Sequence, residues 1–136
     1  MKKIPNFLQF VPLIWNELEI YLIPDPALKG RTDGIRKIWV NSEYPPDVRK
    51  FIILHEIGHI YLNYLNEKFG LIQPAVIKEN EALCDVLAAV YLIKRKGIKP
   101  REIFNYITVL HPSGEAKFRM HILRNMLLLA KKGGKP

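Results

Sequence analysis

The amino-acid sequence predicts an α+β fold in which a small antiparallel sheet precedes several helices. Three observations lead there. The segments rich in β-branched and aromatic residues are short and fall within the first forty positions. From Tyr44 onward, apolar residues recur at helical spacing over long stretches. Prolines and glycines punctuate those stretches, and the sequence holds no internal repeat and no long linker. A length of 136 residues suits a single domain spanning 1–136, which buries a core without disulfide staples.

The elements follow in order. Residues 5–18 have helix-like apolar spacing, with Pro12 expected to kink or divide the helix. Glu19 to Ile23 reads as a strand stopped by Pro24 and Pro26. Lys29 to Gly34 reads as a turn, and Ile35 to Val40 as a second strand in which Trp39 and Val40 supply β propensity. Pro45, Pro46 and Asp47 suit the first turn of a helix, where a missing N–H costs nothing and a carboxylate faces the positive dipole end. That helix runs through Phe51 to about Asn66, with Gly70 closing the segment, and a loop containing Pro74 follows. A second long helix spans about Val76 to Lys94, with Lys94, Arg95 and Lys96 at its C-terminal end and Gly97 beyond. Pro100 starts a short helix over Arg101–Leu110, which His111 and Pro112 break. Ser113 is placed to cap a last helix over about Gly114 to Lys132, ending at Gly133 and Gly134.

Hydrophobic residues at 49% and charged residues at 25% exclude a disordered chain. A lone cysteine, Cys84, excludes an internal disulfide and suits a reducing compartment. The N-terminal apolar run is broken by Pro5, Asn6, Gln9 and Pro12, and no small-residue cleavage site follows it. No segment reaches the roughly 18 apolar residues of a membrane helix. The expectation is a cytoplasmic protein with no membrane partner. The net charge of +8 is uneven: residues 1–93 carry 10 basic and 11 acidic side chains, and residues 94–136 carry 11 and 2. The basic helical segment at about 98–136 is therefore either a solvated face with a lysine-rich tail or a weak contact for nucleic acid.

His55-Glu56-Ile57-Gly58-His59 fits H-E-x-x-H. On a helix, residues i and i+4 share a face, so both imidazoles can hold one zinc ion, with Glu56 beside the metal as a general base toward a metal-activated water. The flanking residues are apolar, and buried histidines and glutamate require partners. A tetrahedral site with one open position takes a third protein ligand. Glu81 and Asp85 again lie i and i+4 at the start of an apolar helix. Glu81 fits the ligand role, with Asp85 accepting a hydrogen bond from the far nitrogen of one ligand histidine. Glu79 is the rival ligand, but no carboxylate stands four residues after it. Cys84 reads as a core residue rather than a thiolate ligand. His111, His121 and Tyr106 are the available oxyanion partners, and nothing in the sequence places them near the metal; His111 reads as a loop residue and His121 as a helix-face residue. Tyr61, Tyr64, Trp15 and Trp39 read as packing residues.

H-E-x-x-H followed by E-x-x-x-D resembles the gluzincin metallopeptidases, and within them the ImmA/IrrE family. The resemblance rests on Ile38-Trp39-Val40-Asn41 with Pro46 and Arg49-Lys50-Phe51, on Leu54 to Ile60, on Glu81 to Leu92 and, more weakly, on Ser113 to Leu123. It departs at Cys84, where the family usually has alanine, and at Asp85, where asparagine is frequent. The short chain lacks a recognisable helix-turn-helix and is similar in size to the minigluzincins, some of which block their own site. The resemblance implies a gluzincin-like minimal metallopeptidase with one zinc per chain, acting on a peptide or protein substrate such as a transcriptional repressor. Two other readings fit these residues: a regulatory zinc scaffold acting on a protein partner or nucleic acid, and a self-inhibited, zymogen-like peptidase. Substrate is expected to lie extended along an exposed strand. Ile35–Val40 is the best strand in the sequence, so Ile38, Trp39 and Val40 are the expected substrate-binding residues on an edge bordering the cleft.

Overall fold

A computed structural model describes residues 3–70, 77–112 and 115–133 of the chain. Within them lie helix α1 (Phe7–Trp15), strands β1 (Glu19–Ile23), β2 (Gly30–Thr32) and β3 (Lys37–Asn41), and helices α2 (Pro46–Phe69), α3 (Ile77–Lys96), α4 (Pro100–Leu110) and α5 (Glu115–Gly133). The α+β expectation holds. Expectations for Pro74, for Val76 as a helix start, for Ser113 as a cap and for Gly114 and Gly134 fall outside the described residues.

The sheet differs from the all-antiparallel expectation. Its order is β1-β3-β2: β2 pairs antiparallel with β3, and β1 pairs parallel with it. The chain reaches β2 on the far side of β3 and then turns back, so β2 serves as the crossover between two parallel strands. The turn is fixed by Asp33, whose Oδ1 accepts the N–H groups of Ile35, Arg36 and Lys37 at 2.8–2.9 Å, and by Gly34 at φ +83°. These bonds hold Ile35 and Arg36 outside the strand, so β3 starts at Lys37 rather than at Ile35. The Lys29–Gly34 stretch, expected as a turn, supplies β2. Both edges of β3 are therefore paired, and Ile38 and Val40 are fully buried beneath it. Ile38, Trp39 and Val40 do not form an exposed substrate edge. Trp39 lies on the outer face, stacked on Tyr21 with Arg31 above its ring at 4.8 Å.

Proline does not divide α1. The helix continues through Pro12, held by a reciprocal cap in which Asn6 and Gln9 bond each other's backbone N–H. The capping box fixes the helix start, and the aromatic side of α1 packs Phe7 and Phe10 against Tyr61. Helix α2 opens on Pro46 and Asp47 and ends where Gly70 adopts φ +61° and its N–H bonds the carbonyl of Asn66. Its central turns are buried almost all round, from Phe51 to Leu62. Strands β2 and β3 cover one side of α2 and α3 packs along another. The close approach of the two helices passes through Gly58, where a Cβ would lie 3.2 Å from both Cβ and Sγ of Cys84. That contact sets α3 against the histidine-bearing turns of α2.

Candidate metal centre

His55 and His59 project from one face of α2, and Glu81 projects toward them from α3. One donor atom of each lies within 4.8 Å of the others. Glu81 Oε1 is 2.7 Å from His59 Nε2, and Glu81 Oε2 is 3.2 Å from His55 Nε2. A tetrahedral zinc with ligands at roughly 2.0–2.1 Å holds its donor atoms ~3.3 Å apart. Two imidazole nitrogens and a carboxylate thus already stand near the separation that zinc requires, and their chemistry suits it. Among the described residues this is the group of side chains that could hold a metal. The side chain of Glu79 lies outside the described residues.

Asp85 stands one turn beyond Glu81 on α3. Its Oδ1 accepts the Nδ1–H of His55 at 2.7 Å, which leaves Nε2 of His55 facing Glu81. Its Oδ2 accepts a bond from Arg119 Nη1 at 2.6 Å. Arg119 comes from α5, is nearly as buried as His55, and brings Nη2 to 3.6 Å from Glu81 Oε2. The sequence places Arg119 only within the weak resemblance of Ser113 to Leu123 and gives it no role. A signal was present: an arginine four residues before Leu123, which is fully buried, shares its face of the helix.

Electrostatics follow from this packing. Burial disfavours a charged His55, but the bonds to Asp85 and Glu81 and the nearby Glu56 outweigh it and push its pKa up to about 10. The bonds from His55 and His59 hold Glu81 far below the usual carboxylate range. Burial pushes the Glu56 carboxyl up, against the pull of His55 and His59. Burial also raises the Cys84 thiol well above its ordinary value, so Cys84 behaves as the expected core residue.

Glu56 lies on the wall shared with β2. A Cβ on Gly30 would fall 2.3 Å from Ile52 Cγ2 and 3.1 Å from Glu56 Oε2, so only glycine permits this approach of strand to helix. A cleft of about 250 Å³ opens here, lined by Lys29, Gly30, His55, Glu56, Glu81 and His111. Lys29 Nζ lies 3.2 Å from His111 Nδ1. His111, expected simply in a loop, closes α4 as its C-terminal cap and lines the cleft. Tyr106 does not: it packs on Phe51 and lines a cavity elsewhere. His121 sits exposed on α5 beside Asn125.

Residues 18–119 match the family model of the IrrE N-terminal-like domain, a peptidase family. The match spans three quarters of the chain and contains every residue of the cluster. The chain belongs to the IrrE N-terminal-like peptidase family. No curated protein and no solved structure matches it. As an IrrE N-terminal-like domain, it carries the family's peptidase assignment on a cluster compatible with metal binding. Among the described residues, no helix is long and apolar enough to cross a membrane.

Proposed function

We propose that this IrrE N-terminal-like protein is a zinc-dependent metallopeptidase that hydrolyses peptide bonds in a peptide or protein substrate. The supporting observation is the convergence of His55, His59 and Glu81 beside a buried Glu56, with His55, Glu56 and Glu81 lining an open cleft. His55, His59 and Glu81 would hold one zinc per chain. When bound, zinc supplies Lewis-acid polarisation of a carbonyl and acidifies water. Asp85 orients the His55 ring through Nδ1, and Arg119 balances the charge of Asp85. Glu56 takes a proton at its carboxylate and returns it to the leaving amine; burial raises its proton affinity, which suits both transfers. His111 and Lys29 line the same cleft, where a donor can stabilise developing negative charge on the scissile carbonyl.

Substrate binding falls to β2 rather than β3. In the antiparallel ladder, Asn41 N–H bonds Lys29 O, and Asp33 N–H bonds Lys37 O. Lys29, Arg31 and Asp33 therefore turn their backbone groups toward β3, and Gly30 and Thr32 turn theirs to the open side. An extended peptide added there passes over Glu56. The resemblance supports an intracellular substrate, with a transcriptional repressor as one class, and a cytoplasmic location. The basic segment also acquires a role besides any weak nucleic-acid contact, since its Arg119 is built into the metal centre.

The deciding experiment is metal analysis of purified protein with a peptide-library cleavage assay, run beside Glu56→Gln. The expectation is about one zinc per chain in both proteins and cleavage by the wild type alone. Wild-type protein that binds zinc and cleaves nothing would favour the scaffold reading.

A further inference from the structure

A further cavity lies on the side of α2 away from the metal cleft. It encloses about 690 Å³ where α1, α2, α3 and α4 meet, within the range of small-molecule sites between helices. On α2, Asp47, Lys50, Ile53 and Leu54 line it. At 100° per residue these positions lie opposite Ile52, His55, Glu56 and His59, so one helix presents its two sides to two separate sites.

The lining has a definite chemistry. Val11, Ile53, Leu54, Leu92 and Ile98 form apolar walls, and Trp15, Tyr91 and Tyr106 add aromatic surface. Trp15 is 47% exposed, and its ring is at the cavity rather than in the core. The charged groups of the lining are Lys50, Lys96 and Asp47. Neither lysine forms an ion pair with a described residue, and Asp47 stands near the Tyr106 hydroxyl. The lining thus carries a net single positive charge beside an apolar interior.

We propose that this four-helix cavity binds a small organic monoanion with an apolar body, of the type of a medium-chain carboxylate. The body enters between α1 and α2 against Leu54 and Leu92, and the carboxylate meets Lys50 and Lys96 at the mouth. The site is independent of the metal and of the peptidase reading.

The test uses the full chain and two probes, decanoate and 8-anilinonaphthalene-1-sulfonate. Trp15 reports directly in a Trp39→Phe variant, where it is the remaining tryptophan of two. The expected result is saturable 1:1 binding of both probes, in mutual competition, with a change in Trp15 emission. Exchanging the exposed lysines in Lys50→Glu/Lys96→Glu should weaken decanoate by at least about tenfold, since each exposed charge contact is worth a factor of roughly two to five and its sign is reversed. Lys29→Glu, at the metal cleft, should leave probe affinity within about twofold. Ile53→Trp fills the cavity from a partly buried position and should abolish binding while the protein keeps a cooperative thermal transition. Decylamine or decanol binding as tightly as decanoate would overturn the charge assignment. Unchanged decanoate affinity in the double lysine variant, or a dimer that forms through this face and excludes the probes, would overturn the site.

Discussion

At the residue scale, the centre depends on side chains that sequence spacing reveals and on one residue that has no side chain. His55, Glu56, His59, Glu81 and Asp85 were legible because helical periodicity places i and i+4 on one face, and five polar groups in apolar helices need partners. Gly30 was not legible, because its function is to be absent from the space that Ile52 and Glu56 fill. Gly30→Ala should retain zinc, measured by mass spectrometry, yet lose about tenfold or more in kcat/KM as Glu56 is pushed aside; Gly30→Ala/Ile52→Ala should recover part of it. An alanine variant with full activity would remove the strand from the base. Arg119 was only half legible: its helical phase with Leu123 turns it inward, but its partner, Asp85, lies 34 residues away on a different helix. Arg119→Met removes one of the two described partners of the buried Asp85 carboxylate and leaves Oδ2 unpaired beside the His55 bond on Oδ1, a loss of about 1–3 kcal/mol by thermal or denaturant unfolding. It should also weaken zinc about 10–100-fold, as Asp85→Ala should. Acid–base linkage gives a third expectation at this scale, for metal-free protein. His55 has a raised pKa, so its contribution to stability is complete below its ordinary 6.5 and disappears as pH rises toward about 10. Glu81 has a lowered pKa, so its contribution is complete above its ordinary 4.5 and disappears as pH falls. The melting temperature of the metal-free protein should therefore be highest between about pH 4.5 and 6.5. Because ligands bind metal deprotonated, zinc uptake near pH 7 should release about one proton, read by calorimetry in two buffers of different ionisation enthalpy.

At the element scale, long helices were legible and short strands were not. Proline at the start of α2 and α4 and glycine after α2 are strong local signals, and both helices stand where those signals put them. Three residues of β2 provide no alternation to read, and glycine, lysine and aspartate around them read as a turn. Pro12 shows the limit of a single breaker: a cap and aromatic packing on α2 outweigh one missing backbone bond. The element contact that sets the geometry of the candidate metal centre is α2 on α3 at Gly58 and Cys84. A Cβ on Gly58 would meet Cys84 Cα at 3.3 Å as well as its side chain, so backbone must yield and not only a flexible tip. Gly58→Ala should cost about 1–3 kcal/mol by overpacking and should weaken zinc, because Glu81 and Asp85 share that part of α3. Adding Cys84→Gly removes the Cβ and Sγ contacts and should restore zinc affinity more than stability, since glycine within a helix carries its own cost. Zinc affinity unchanged in Gly58→Ala would separate helix spacing from metal geometry.

At the scale of the whole molecule, the α+β class was legible and the sheet topology was not, because strand order depends on pairings that no single segment encodes. Ile35–Val40 has the strongest β propensity, and its Lys37–Val40 part lies in the central strand β3 rather than at the rim, with Ile38 and Val40 fully buried and Ile35 left outside the strand. The weaker β2 is left at the edge that borders the cleft. This exchange relocates the proposed substrate contact and makes it testable through the backbone. Thr32 turns its N–H away from β3, so Thr32→Pro removes a donor from the open edge without deleting a β2–β3 ladder bond. Its hydroxyl, however, bonds Lys37 O at 2.7 Å and accepts the Gly34 N–H. Thr32→Val is therefore the control, since it loses those hydroxyl bonds and keeps the backbone donor. If peptide adds to β2, Thr32→Pro should raise KM by about fivefold or more relative to Thr32→Val, because one backbone hydrogen bond contributes about 1 kcal/mol net. Zinc content should be equal in the two variants. Equal KM values in well-folded Thr32→Pro and Thr32→Val would place the substrate elsewhere in the cleft and leave the metal centre to be approached from the side of His111.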